Sequence, residues 1–370
     1  MRFRKTLGIL GLAASLAAVG WGTARALAGG TPAPAKSPKA EPSVAHVPPV
    51  RRLDRAADLL RGSVVAPRRI SYVGQLETLR FSSSHAIATI VRVEHLAPDR
   101  TRRWYLAPEA LYGDYTISRG GTTFQFDTRH DRVVRTRSPS AENAVATADA
   151  MNLIDDNYRP VISARETVAG RPTISLLLVN KYTGERVMRV WIDTETKLIL
   201  KKEEYRPNGA VAAETRFEEL RYTGAIPPDI FTTATPHGYQ VVAGRDFTTP
   251  STDLERIVRA AGFSPVEPKY LPEGFVLVGG DQATVNSVKT LHLLYSDGLR
   301  TLSLFQNARG AAADFGKLKP STTHFEGHDA EYVEDGPTTL LTWRETGLYF
   351  ALVSDLSLRE LTRIAISVVP

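Results

Sequence analysis

Between Ile70 and the neighbourhood of Arg135, apolar and polar residues alternate with a period of two. Val91, Val93 and His95 share one face of a predicted strand, and Arg92 and Glu94 share the other. The same pattern, rich in β-branched and aromatic residues, runs through "ISYVGQLETLRF", "HAIATIVRVEHL", "RTRRWYLAP", "DYTISRG" and "TTFQFDT", with turn signals such as "APDR" and "RGG" between them. At residues 140–156 the spacing turns helical: Ser140 can cap, and Ala144, Ala148, Met151 and Leu153 or Ile154 follow on one side. Strands resume in "RPVISARETVAGRPTISLLLVN", "ERVMRVWID", "KLILKKEEYR" and "AAETRFEELRY", joined by "NKYTG", "DTET" and "RPNG". This predicts an antiparallel meander, closed by Pro227 and Pro228. "TTATPHGYQVVAGRDFTTP" then reads as a linker.

A second block begins with a helix at "TDLERIVRAAGF", where Thr252 and Glu255 form a capping box and Gly262 ends it. "GFVLVGG", "TLHLLYS" and "RTLSLFQN" follow as strands, the last two joined by Asp297–Gly298. "DAEYVED", "TTLLTWRE" and "LYFALVSD" continue the sheet, and Ser357 and Glu360 open a closing helix. Helix, antiparallel strands and helix predict a small α+β unit.

Ahead of the first strand lies another helix, with Leu53, Ala56, Ala57 and Leu60 on one face. It carries Arg51, Arg52, Arg55 and Arg61, with Arg68 and Arg69 just beyond. Such a charge run is either a solvated face or a contact for an acidic protein or anionic lipid headgroups. Residues 29–50 are rich in Pro, Ala and Ser without apolar period and read as a tether. Residues 1–28 combine Arg2, Arg4 and Lys5, an uncharged run and "ALA" before Gly29, which reads as a signal peptide; an uncleaved anchor is the alternative. The expected organisation is therefore signal 1–28, linker 29–50, a large β domain over 51–235, linker 236–250 and a smaller domain over 251–370.

Composition narrows the chemistry. The 370 residues contain no cysteine, which excludes disulfides, thiolate nucleophiles and Cys-ligated metals. Residues 29–250 carry 31 basic against 25 acidic residues, and residues 251–370 carry 11 against 15. The balance after the signal is too small to point to nucleic acid. No Gly-rich phosphate loop and no nucleophile elbow is present. His324 and His328 lie four apart on a strand pattern, about 13 Å and too far for one ion. His85, His95, His130 and Asp131 have no nucleophile at a telling spacing. The densest acid cluster, "RVWIDTETKLILKKEEYRPNG", places Asp193 and Glu195 in a tight turn and Glu203 and Glu204 on opposite faces of a strand. These acids read as turn and outer-face residues. No enzyme activity, cofactor or metal is expected.

The phrases "YVGQL", "VRVEHLAPDRTRRWYL", "VWIDTETKL" and "YLPEGFVLVGG…LHLLYSDGLRTLSLFQ" resemble the RseB/MucB family of periplasmic regulators of extracytoplasmic-function sigma factors, over roughly residues 65–370. The N-terminal part is similar to the LolA/LolB lipoprotein-sorting superfamily. The resemblance implies a mainly β protein with α: an incomplete antiparallel β-barrel covered by helices, plus a smaller α+β C-terminal domain. It implies an apolar cavity for acyl chains or hydrophobic peptide, which Trp104, Tyr105, Phe124, Phe126 and Trp191 would line unless they are plain core. It implies an anti-sigma factor as partner, shielded from proteolysis until envelope stress releases it. A LolA-like carrier of lipid or lipoprotein is the alternative. The Pro-rich tether and the basic helix look longer than the family norm, which leaves room for a different partner.

Overall fold

The computed structural model describes residues 52–81, 86–119, 122–137, 151–243, 254–261, 263, 265–285, 288–308, 315, 319–335 and 338–368. The signal, the tether, Arg51, His85 and the first part of the helix expected at 140–156 lie outside these residues. Two sheets account for most of the chain. The first contains β1 (Tyr72–Phe81), β2 (Ala86–Leu96), β3 (Arg100–Ala107), β4 (Tyr115–Arg119), β5 (Thr122–Asp127) and β6 (Arg132–Arg137). It continues with β7 (Tyr158–Val168), β8 (Arg171–Asn180), β9 (Arg186–Asp193), β10 (Ile199–Tyr205), β11 (Val211–Tyr222) and β12 (Gln240–Ala243). The second contains β13 (Val276–Val285), β14 (Val288–Ser296), β15 (Thr301–Asn307), β16 (Ser321–Phe325), β17 (His328–Asp335), β18 (Thr338–Glu345) and β19 (Leu348–Ser354).

The first sheet has twelve strands in the order β12-β6-β5-β4-β3-β2-β1-β11-β10-β9-β8-β7, and its end strands do not pair with each other. It is an open sheet, antiparallel except where β12 runs parallel to β6. That pairing puts a strand inside the stretch read from sequence as linker. The Gln240 amide is held by the Asp131 carbonyl at 2.8 Å, a contact across more than a hundred residues that no local pattern announces. The second sheet has seven strands, β13-β14-β15-β19-β18-β17-β16.

Period-two alternation decides which residues meet the helices. Met188, Val190 and Ile192 join Ile174, Leu176 and Leu178 in a buried cluster with Ala56, Leu59 and Leu60 of the helix Arg52–Val65. The helix thus buries one stripe on β8 and β9 and leaves Arg55 and Arg61 exposed. Its exit is pinned by His95: Nε2 lies 2.6 Å from the Pro67 carbonyl, Nδ1 lies 2.8 Å from Thr101 Oγ1, and the ring stacks on Tyr72. Burial lowers the His95 pKa, keeping the imidazole neutral in this role. In the second sheet, Leu291, Leu293, Leu304, Trp343 and Phe350 pack under the helix Leu358–Ser367 through Leu361, Ile364 and Ala365. Ser357 caps that helix by accepting the Glu360 amide at 3.2 Å. The Glu360 carboxylate takes the Tyr270 hydroxyl and Arg363 instead of returning a bond to the cap, so half of the expected box forms. Thr252 of the other expected box lies outside the described residues.

One acid of the dense cluster departs from expectation. Asp193 is fully buried, whereas the sequence places it among solvent-facing turn residues. Its Oδ1 accepts the amides of Glu195 and Thr196 at 2.8 and 3.0 Å, and its Oδ2 accepts Arg171 Nε and the Tyr222 hydroxyl at 2.8 and 2.9 Å. Burial alone would raise this carboxyl, but the donors outweigh it and hold the pKa below the usual value. Asp193 therefore ties the β9–β10 turn to β8 and β11. Glu203 and Glu204 do face opposite ways, pairing with Lys201 and Lys202 respectively. Asp193→Ala should cost about 3 kcal/mol in urea unfolding, because Arg171, Tyr222 and two amides lose their acceptor together. A cost below about 1 kcal/mol would show that the turn holds without it.

Candidate functional site

Trp104, Phe124, Phe126 and Trp191 fall on one side of the large sheet, and Tyr105, opposite Val91, falls on the other. Register carries Trp104 to Tyr115, Tyr115 to Phe126 and Phe126 to Val133, while Ile117 pairs with Phe124. Trp104 lies opposite Arg92, so it points away from the face where Val93 meets Ala66 at the exit of the basic helix. Trp191 likewise alternates with Val190 and Ile192 and faces away from that helix. Trp104, Tyr115 and Phe126 stack in series, at centroid distances of 5.2 and 4.3 Å. Phe126 is closed over by Ile226 and Phe231, and Phe124 is half-buried against the same group. Trp191 is buried between the Arg189 guanidinium at 4.6 Å and the Lys201 ammonium at 4.5 Å, and its indole N–H donates to Glu166 at 2.9 Å. The structure joins Trp104, Phe124 and Phe126 in one patch and sets Trp191 apart, five strands along the sheet order from β3.

The basic candidates separate as well. Arg52 opens the helix. Arg61 is engaged by Asp155 at 2.6 Å. Arg55 lines a cavity of about 480 Å³ with Leu59, Arg165, Thr167, Ile174 and Lys197. The cavity lies where the helix, the end of β7, the start of β8 and the β9–β10 turn converge, and its charge is mainly positive.

Three of the histidines read from sequence are paired with acids, whereas His95 is held by Pro67 and Thr101. His324 Nδ1 lies 3.0 Å from Asp329, and His328 lies 3.7 Å from Glu345 on a different strand. His130 Nδ1 lies 2.8 Å from Asp127, which also binds Arg132. Among the described residues no group of three or more such side chains is placed to hold a metal ion.

The most enclosed polar centre joins the two sheets. The helical residues 151–157 end at Asn157, whose Nδ2 donates to the carbonyls of Gly274 and Asp297 at 3.0 and 2.9 Å. Gly274 sits at φ +91°, and a Cβ there would lie 2.6 Å from Asn157 Oδ1. Only glycine suits both demands. The Tyr158 hydroxyl donates to Asp297 Oδ2, while Asp297 Oδ1 accepts the amides of Leu299 and Arg300 at 3.0 and 2.8 Å. One carboxylate thus shapes the β14–β15 turn and clasps the large sheet. Arg300, 5% exposed, reaches Glu185 at 3.2 Å and Asp355 at 3.6 Å. Asp355 keeps about a third of its side chain in solvent, but its Oδ1 is enclosed without a partner. The sequence marks only the turn residues of this centre, since their partners lie 115 to 140 positions away.

These features define a class: a two-sheet β protein with an open large sheet, a cationic cavity at one corner and a second sheet clasped to it. Residues 114–235 match the family model described as MucB/RseB N-terminal domain. Residues 265–368 match a domain of unknown function, DUF4367. No curated protein matches. Among solved structures, the complex of Pseudomonas aeruginosa MucA/MucB is similar over 85% of this chain and 98% of that one, with TM-score 0.58 and 18% identity. MucB in complex with MucA(peri) is similar over 84% and 97%, with TM-score 0.55 and 18% identity. At that identity the likeness establishes the fold.

Burial pushes the Asp355 carboxyl up to about 7; Arg300 opposes this, and the charges of Asp297 and Glu204 add to it. Burial also raises Asp297. A raised folded-state value means that protonation favours the closed clasp. That stability is complete below the ordinary value of 3.8 and is lost as pH rises through about 7. Asp355→Asn, a neutral mimic, should flatten the pH dependence of unfolding of the second sheet, followed by Trp343 fluorescence, between about pH 4 and 7. An unchanged slope, or an NMR-titrated Asp355 midpoint near 4, would remove this role.

Proposed function

We propose that the protein is an exported binding protein that engages the extracytoplasmic segment of a membrane anti-sigma factor and controls its exposure to proteolysis. The observation that carries this reading is the extent of the likeness. Most of this chain falls within a fold seen for MucB together with MucA, and nearly the whole of that chain is covered. The MucB/RseB domain at 114–235 supports the same role, and it is a binding role rather than a catalytic one. An extracytoplasmic location accords with this reading and with the N-terminal signal pattern.

In this reading, a lipid or hydrophobic peptide formed under envelope stress is the releasing signal. The half-buried Trp104 and Phe124 are where such a ligand would reach the aromatic patch, because Phe126 and Trp191 are closed off. Among the described side chains of the helix, Arg55 is the cation left for an anionic contact, since Arg61 already serves Asp155.

The test is affinity capture of the tagged chain from crosslinked membranes of its own host, with the captured proteins identified by mass spectrometry. Recovery of a single-span anti-sigma factor, whose purified extracytoplasmic segment is then cleaved more slowly when the chain is added, is the expected result. Capture of no such protein, or a segment cleaved equally fast with and without the chain, would overturn the reading.

A further inference from the structure

The strand β7 ends the large sheet. Its inner side pairs with β8 along its whole length, and among the described residues no strand pairs with its outer side. Exposed edges are normally blunted, because unpaired N–H and C=O groups recruit other chains. The first half of β7 is blunted in this way. Tyr158 is buried in the clasp, Pro160 offers no N–H, and the register slips between Ile162 and Ala164. The second half is not. Ala164 to Val168 pairs regularly with Arg171 to Ser175, and Arg165, Glu166 and Thr167 are exposed.

The open half coincides with the cationic cavity. Arg165 and Thr167 contribute to its wall, and Arg165 lies opposite Ile174, whose side chain packs under the basic helix. Arg55 and Arg165 have no acidic partner among the described residues. Lys197 adds a third cation, its Nζ touching only the Thr194 carbonyl at 2.6 Å. Glu166 is the one acid in the lining, and it is already neutralised: Arg189 lies 3.1 Å from Oε1 and the Trp191 N–H lies 2.9 Å from Oε2. Leu59, Pro172 and Ile174 supply an apolar floor.

We propose that β7 accepts an extended acidic peptide as an additional strand along Ala164–Val168, with alternate carboxylates directed at Arg55, Arg165 and Lys197. Main-chain bonds to the edge supply sequence-independent affinity, and the cations select side chains on one face at period two. A lone anion would use the cations but not the edge. A neutral strand would use the edge but not the cations. The placement of the cationic cavity beside the five residues of the open edge favours a peptide of a partner protein over a membrane surface. This site stands on geometry alone and does not depend on the anti-sigma reading.

The test uses the full chain and a fluorescein-labelled, end-blocked peptide of alternating Glu and Val, followed by anisotropy at low salt. Binding should weaken by about tenfold or more in Arg55→Glu/Arg165→Glu, and similarly when alternate backbone nitrogens of the peptide are methylated. Hydrogen exchange should show new protection confined to Ala164–Val168. Arg55→Gln, on an exposed helix face, gives the charge effect in a variant whose fold is undisturbed. No binding, equal binding of the methylated peptide, or equal binding by the charge-reversed variant would overturn the proposal. So would binding to anionic phosphatidylglycerol vesicles through these arginines with none to the peptide.

Discussion

The contact on which the two-sheet arrangement depends is the sharing of the Asp297 carboxylate. One oxygen holds the amides of its own turn and the other takes the Tyr158 hydroxyl from the large sheet. A carboxylate enclosed in this way is costly unless donors surround it. The turn supplies some donors, but it cannot supply all of them. Docking of the large sheet completes the set, so the polar satisfaction of one sheet is conditional on the presence of the other. Asn157 adds two directional bonds, and Gly274 makes room for it. The clasp is therefore specific in geometry before any apolar area is counted.

A second constraint acts within the large sheet. Alternation sends Val190 and Ile192 to the basic helix and Trp191 to the opposite face, where cations rather than hydrocarbon cover it. The same rule separates Val93 from Trp104. Trp104, Phe124, Phe126 and Trp191 lie on the face away from the basic helix and Tyr105 on the other, although the resemblance implied a shared apolar hollow. Periodicity was legible in the sequence; which face would receive the helix was not, because that depends on where a segment a hundred residues upstream comes to rest.

The strands were legible for the same reason: β-branched residues alternating between turn signals need no distant information. The misreadings share one cause. Asp193 looks like any turn acid until Arg171 and Tyr222 arrive from other strands. The segment at Gln240 looks like linker until β6 is beside it. The basic helix was visible as a run of arginines, but only the fold distributes them: Arg61 to an internal acid and Arg55 to the cavity beside an open strand edge.

The parallel pairing of β12 with β6 has a mechanical consequence. It fixes the outgoing chain at the far end of the strand order, whereas the clasp grips the near end, beside β7. The second sheet is thus tied covalently to one margin of the open sheet and by hydrogen bonds to the other. While the clasp is closed, the second sheet is joined to both margins of the open sheet. Releasing the clasp would free the curvature of the large sheet without breaking a single strand pair within it.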